Sequence, residues 1–286
     1  MNKKIDIRRR IIISTILSTL TFMLIATPLF GFISDRIFGS ADNSVLFDYI
    51  FLRIPLITFV LVVSTYWVLS FRIRILKVNI IAIYPTIVLT PFVLLFMSLI
   101  FNQEGVITGS FTSIIASIAF YLITYFILLT VNILNNSVFY ELPLEQAAKA
   151  AQFIFSLASS YLLFVLIFGT DINLIARLVI LFLYILYYSF SSIIFLKNID
   201  NSNSLIKSLS LAITMTFAAF VLSTWPIDSI YLILSLAVIF YILLSISLEV
   251  RETINKYVFI EYGVLLSLIA SILIFNSDWG IIGSVI

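Results

Sequence analysis

Apolar residues in this chain come in long runs separated by short polar gaps. Nine runs can be drawn, at roughly 11–33, 49–71, 79–101, 111–134, 148–169, 173–196, 205–223, 229–248 and 258–276. At about 1.5 Å per residue, each is long enough to cross the ~30 Å hydrocarbon core of a bilayer once as an α-helix. A lone segment at that depth satisfies its backbone N–H and C=O groups only as a helix, so the abundant Ile and Val do not argue for strands. The pattern predicts an all-α fold, a polytopic transmembrane helix bundle of about nine spans forming a single membrane domain over 1–286, with the lipid bilayer as its solvent.

The first run is too long for the apolar region of a secretory signal, and no small-x-small site closes it, so it reads as the first membrane helix. No gap holds a separate domain; the longest are Ser34 to Asp48 and Asn135 to Ala147. The tightest connections are Thr170 to Ile172 and Ser223 to Asp228, where Trp225-Pro226-Ile227-Asp228 suits an interfacial turn. Composition fits this reading. Hydrophobic residues make up 62% of the chain and charged residues 10%, against about a quarter charged in a soluble domain.

Charge then gives orientation. Lys3, Lys4, Arg8, Arg9, Arg10, Arg72, Arg74, Lys77, Lys149, Lys197, Lys207, Arg251 and Lys256 fall in alternate gaps, and only Arg36, Arg53 and Arg177 fall on the other side. By the positive-inside rule the N-terminus is cytoplasmic, and an odd number of spans puts the C-terminus, near Asp278 and Trp279, outside. The expected location is the plasma membrane. The basic cluster from Lys3 to Arg10 reads as a topology signal and headgroup anchor, not as a nucleic-acid site.

The chain has no Cys and no His. That removes disulfides, thiolate nucleophiles, Ser-His-Asp triads and the usual zinc sites. No cofactor and no metal are expected, and most enzyme classes lose their machinery. Ionisable groups avoid the span centres, which argues against a proton relay; Glu261, about one turn into the last span, comes nearest.

Three places carry candidate chemistry. On the outer side, Arg53, Arg177 and Arg36 share a face with Asp35, Asp42, Asp48, Glu104, Asp171, Asp228 and Asp278. The arginines form an anion-binding candidate, since a guanidinium grips phosphate or carboxylate through two parallel hydrogen bonds. The plainer alternative is pairing with nearby Asp or with headgroups. On the inner side, the 135–152 loop contains Glu141, Pro143, Glu145 and Lys149 among alanines. Pro143 and Glu145 mark a helix entry, and Glu141, Glu145 and Lys149 form a candidate docking face for a partner protein. The plainer alternative is an ordinary start to the fifth span. Within the third span, Pro85 and Pro91 predict a bend, from packing or from a broken helix lining a cavity.

Glycine is scarce, with 8 residues in all, and only Gly263 lies well inside a span. Small residues such as Ala116, Ala119, Ala158, Ser159 and Ser160 are expected to make the close helix contacts instead. Three functions fit these features. The first is a non-catalytic subunit or assembly factor of a membrane complex. The second is a transporter or flippase of a small or lipid-linked anion. The third is an enzyme acting on lipid-linked substrates at the external face.

Overall fold

The computed structural model describes residues 2–26, 54–69, 76–101, 106–137, 144–169, 172–197, 201–249 and 256–277. All secondary structure among them is helical: α1 (Asn2–Ala26), α2 (Ile54–Val68), α3 (Leu76–Phe101), α4 (Val106–Ser137), α5 (Glu145–Phe168), α6 (Leu174–Lys197), α7 (Asn201–Thr224), α8 (Ser229–Glu249) and α9 (Lys256–Phe275). Each helix falls on one of the apolar runs. Several extend past them into polar sequence, because Lys, Arg and Gln continue a helix as readily as Leu does. Thus α1 begins in the basic cluster; α4 also lengthens, through the uncharged residues 106–110 and 135–137, to reach 32.

Among the described residues, five segments are long and apolar enough to cross a membrane: Phe111–Ser137, Glu145–Phe168, Leu174–Ile194, Asn203–Thr224 and Ser229–Leu248. Pro55–Val68, Ile83–Leu99 and Ile260–Phe275 are shorter apolar helices. The helices display large side chains that water would not tolerate in such number, among them Ile230 at 74% and Phe275 at 86% exposure. Contiguous apolar surface on this scale belongs against hydrocarbon.

The chain divides into two compact units, Met1–Phe155 and Ser156–Ile286. In the first, α1 packs on α2 and α4, and α3 packs on the same two helices. Ile11 near the start of α1 meets Val68 at the end of α2 and Leu128 in the second half of α4, so α1 runs opposite to both. Further along α1, the buried Phe22 stacks on Phe120 of α4, with ring centroids 4.6 Å apart, and meets the edge of Phe96 of α3. Between these layers lies a seam of hydroxyls: Ser14 of α1 donates to the Ser64 carbonyl of α2 at 3.5 Å, and Ser18 lies 3.4 Å from the Ser64 hydroxyl.

In the second unit α6 and α7 make the most intimate pairing, and α8 packs on α6, α7 and α9. The buried positions of α7, Ser204, Ser208, Leu211, Ala212, Met215, Ala219 and Leu222, recur every three or four residues and are mostly small. That spacing makes one face, and its size lets backbones approach. Ser189 of α6 reaches the Ser208 carbonyl at 3.5 Å. The predicted turn after α7 is tight: the Ile227 N–H donates to the Trp225 carbonyl at 2.9 Å, and the Trp225 indole donates to Ser277 beyond α9 at 2.7 Å. Gly169 closes α5, its N–H bonding the Val165 carbonyl at 2.8 Å; a Cβ there would lie 2.6 Å from that oxygen. Gly263 faces open space, so the close contacts fall to serine and alanine.

Candidate functional site

Helix α5 carries its polar residues along one side. Glu145, Lys149, Gln152, Ser156, Ser159 and Ser160 follow one another at intervals of one to four residues, which keeps them on one side of the helix. At its start, Lys149 pairs with Glu145 at 2.6 Å across one turn, both side chains about one-third exposed. Beyond the pair the face goes inside: Ala148, Gln152, Ser156, Ser159 and Ser160 are all buried.

Gln152 is the most demanding of these residues. It is 1% exposed, and neither its amide nitrogen nor its amide oxygen has a hydrogen-bond partner among the described residues. Its backbone is engaged, since the Tyr84 hydroxyl of α3 donates to the Gln152 carbonyl at 3.2 Å. Leaving a buried amide unmatched costs about 1–3 kcal/mol, so its presence calls for a reason. Tyr84 lies immediately before Pro85 in α3, which runs unbroken through both Pro85 and Pro91. Both prolines are buried. Each lacks an N–H, so the carbonyl one turn earlier loses its helical donor. The Thr90 hydroxyl donates to the Thr86 carbonyl at 2.7 Å, while the buried Thr86 hydroxyl has no partner among the described residues. This stretch of α3 and the facing turn of α5 thus hold buried polar atoms in an otherwise apolar setting.

The second half of α5 meets aromatic rings. Ser159 and the Tyr184 hydroxyl of α6 lie 2.5 Å apart. Tyr184 stacks on Tyr188 at 5.5 Å, Tyr188 sets its ring across Phe240 of α8, and Phe240 meets Phe164 of α5 edge-on at 6.3 Å. Ser160, 1% exposed, has no partner for its hydroxyl among the described residues.

The opposite side of the α5 entry is bare. Leu144, Gln146, Ala147, Ala150 and Ile154 are exposed, and 147, 150 and 154 share a face. Two alanines between a leucine and an isoleucine make a surface that another helix can approach closely.

Of the outer arginines, Arg36 and Arg53 lie outside the described residues, as do Asp171 and Glu141. Arg177 is part-buried one turn into α6, and its backbone N–H bonds the Asn173 carbonyl at 3.0 Å. The Asn173 side chain accepts the Ile175 N–H at 3.3 Å, capping the helix. Of the candidate docking residues, Glu145 and Lys149 pair with each other on the side of α5 opposite the bare alanine face. Glu261 is exposed on α9. No group of three or more His, Cys, Asp or Glu able to hold a metal ion occurs among the described residues. Among the small residues expected at contacts, Ala116, Ser159 and Ser160 are buried, whereas Ala158 is exposed.

Gln152 and the Ser14–Ser18–Ser64 seam were not singled out by sequence reasoning. The signal for Gln152 was its register with Glu145 and Lys149, which continues a polar face into an apolar run. Comparison of the chain with family models, with curated proteins and with solved structures gives no match.

Proposed function

We propose that this is a nine-span protein of the plasma membrane, N-terminus inside and C-terminus outside, that serves as a non-catalytic subunit or assembly factor of a membrane complex. The observation that carries this reading is the entry of α5. The Glu145–Lys149 pair marks one side of that turn, and on the opposite side Ala147 and Ala150 lie exposed between Leu144 and Ile154. Small residues at a bare helix face favour a partner helix, because in lipid close van der Waals packing replaces the hydrophobic drive for association.

The test is native mass spectrometry of the protein gently extracted from its own membrane, beside an Ala147→Trp, Ala150→Trp variant. A stoichiometric partner that is lost from the variant, while the variant stays folded by circular dichroism, supports the subunit reading. A partner retained by the variant overturns the assignment to this face.

One observation favours a second reading, a transporter or flippase. Gln152 offers both donors and an acceptor that no group among the described residues of the first unit meets, as a polar solute in transit would require. Carriers of this kind are stabilised thermally by their substrates, and Gln152→Leu removes that stabilisation if Gln152 binds the solute.

A further inference from the structure

Among the described helices, α5 alone lies along no neighbour: every other helix packs its backbone closely on at least one partner, and α5 does so on none in either unit. It is nonetheless as inward as the best-covered spans, with 44% of its apolar stretch buried. Long side chains bridge the distance. In the first unit the Tyr84 hydroxyl reaches across from α3 to the Gln152 carbonyl at 3.2 Å. In the second, Phe164 meets Phe240 of α8 edge-on, and a groove of about 430 Å³ lined in part by Leu157, Tyr161 and Ala237 opens there. A helix held at arm's length lacks the small, closely fitted side chains that fix α7 against α6.

The first of these contacts is also where the bundle is least satisfied. The Gln152 amide is sealed off, and no group among the described residues bonds its nitrogen or its oxygen. Closed packing leaves no room beside it for water, so the amide stays unmet for as long as α5 lies against α3. An unmet buried amide raises the free energy of that arrangement, and any arrangement that wets it relieves the cost. Helix α3 is fixed from two sides, by α2 and α4, whereas α5 is not. Ser208 of α7 shows the opposite case at the same depth. Both residues lie seven positions past the first residue of their helix, Glu145 or Asn201. Ser208 is fully buried too, yet its hydroxyl donates to the Ser204 carbonyl at 2.6 Å and its helix is seamed to α6.

We infer that the first half of α5 is a gate on the first unit: it parts from α3 at the Tyr84–Gln152 contact, admits water to the Gln152 amide, and closes again to the arrangement described above. Tyr84 is the latch, because its hydrogen bond spans the two helices. Opening is cheap for a stated reason. One latch bond is lost, one amide is hydrated, and no backbone seam has to be undone. The gate rests on neither functional reading, since it requires no partner and no solute.

The chain has no Cys, so a single introduced thiol reports water: the thiolate is the reactive form, and burial in apolar surroundings suppresses it. Full-length Gln152→Cys and Ser208→Cys, in nanodiscs of phosphatidylglycerol and phosphatidylethanolamine, are treated with a permanently charged methanethiosulfonate. Gln152→Cys is expected to react at least about tenfold faster than Ser208→Cys, as a locally opening site does beside a closed one. Adding Tyr84→Phe, which deletes the latch bond and keeps the ring, is expected to raise that rate about three- to tenfold, the worth of one hydrogen bond. Reaction no faster than in Ser208→Cys overturns the gate, and an unchanged rate with Tyr84→Phe overturns the latch. Because cysteine is smaller than glutamine, hydrogen exchange of the unsubstituted protein repeats the comparison at equal depth. Backbone amides of 148–155 are expected to exchange at least about tenfold faster than those of 204–211; equal protection overturns the gate. If Gln152→Cys does not fold by circular dichroism, the exchange rates decide.

Discussion

Helices α6 and α7 press together along serines and alanines, while α5 meets α8 across phenylalanine rings that leave a groove. Both pairs lie in the same unit and draw on similarly apolar sequence. In lipid no hydrophobic drive distinguishes them, so the size of the facing side chains sets the separation. Most serines of α6 and α7 that are buried also match their hydroxyls, Ser192 of α6 excepted among the described residues. Ser189, Ser191 and Ser208 each bond a helix carbonyl, and the Ser14, Ser18 and Ser64 group does much the same between α1 and α2. On α5 both Gln152 and Ser160 are unmatched among the described residues. Tight and matched surfaces read as structure; loose and unmatched ones read as places kept for something else.

The contrast can be broken most forcefully at the seam. Ser208→Leu forces a branched side chain between α6 and α7 and is expected to cost up to about 3 kcal/mol, read as a large fall in Tm in detergent. Ala237→Leu, which adds similar bulk beside open space, is expected to leave Tm nearly unchanged. Equal losses would erase the distinction. Next in size is Gln152→Leu, which keeps most of the volume and deletes the unmatched amide. It is expected to raise stability in denaturant by about 1 kcal/mol. A loss instead would mean that Gln152 is satisfied by a group the bundle holds in solution. Smallest is Ser18→Ala, expected to cost about 0.6 kcal/mol, the average for a polar contact between membrane helices, and detectable by equilibrium unfolding in mixed micelles.

The helices were legible from the apolar runs because lipid makes hydropathy and secondary structure one signal. Their ends were not. The runs mark where hydrocarbon begins, whereas Lys, Arg, Glu and Gln let α1, α3 and α5 continue beyond it. Ser159 and Ser160 were expected at contacts and are buried there, but nothing in the sequence separates the serine that finds Tyr184 from its neighbour that finds no partner. Placing Gln152 on the inner face required α3 to be known as its neighbour, through the Tyr84 hydroxyl. The alanine-rich entry of α5 was legible, and which of its residues stand exposed was not.

The length of α4 has a consequence for the membrane around it. Its apolar stretch Phe111–Ser137 spans 27 residues, about 40 Å of helix, where the hydrocarbon of a typical bilayer measures about 30 Å. The mismatch is taken up by inclination or by a thicker bilayer. Because α4 is packed along both α1 and α3, it inclines only if they incline with it. In a bilayer that α4 crosses, acyl-chain length would therefore bear on the inclination of α1 and α3 as well as its own.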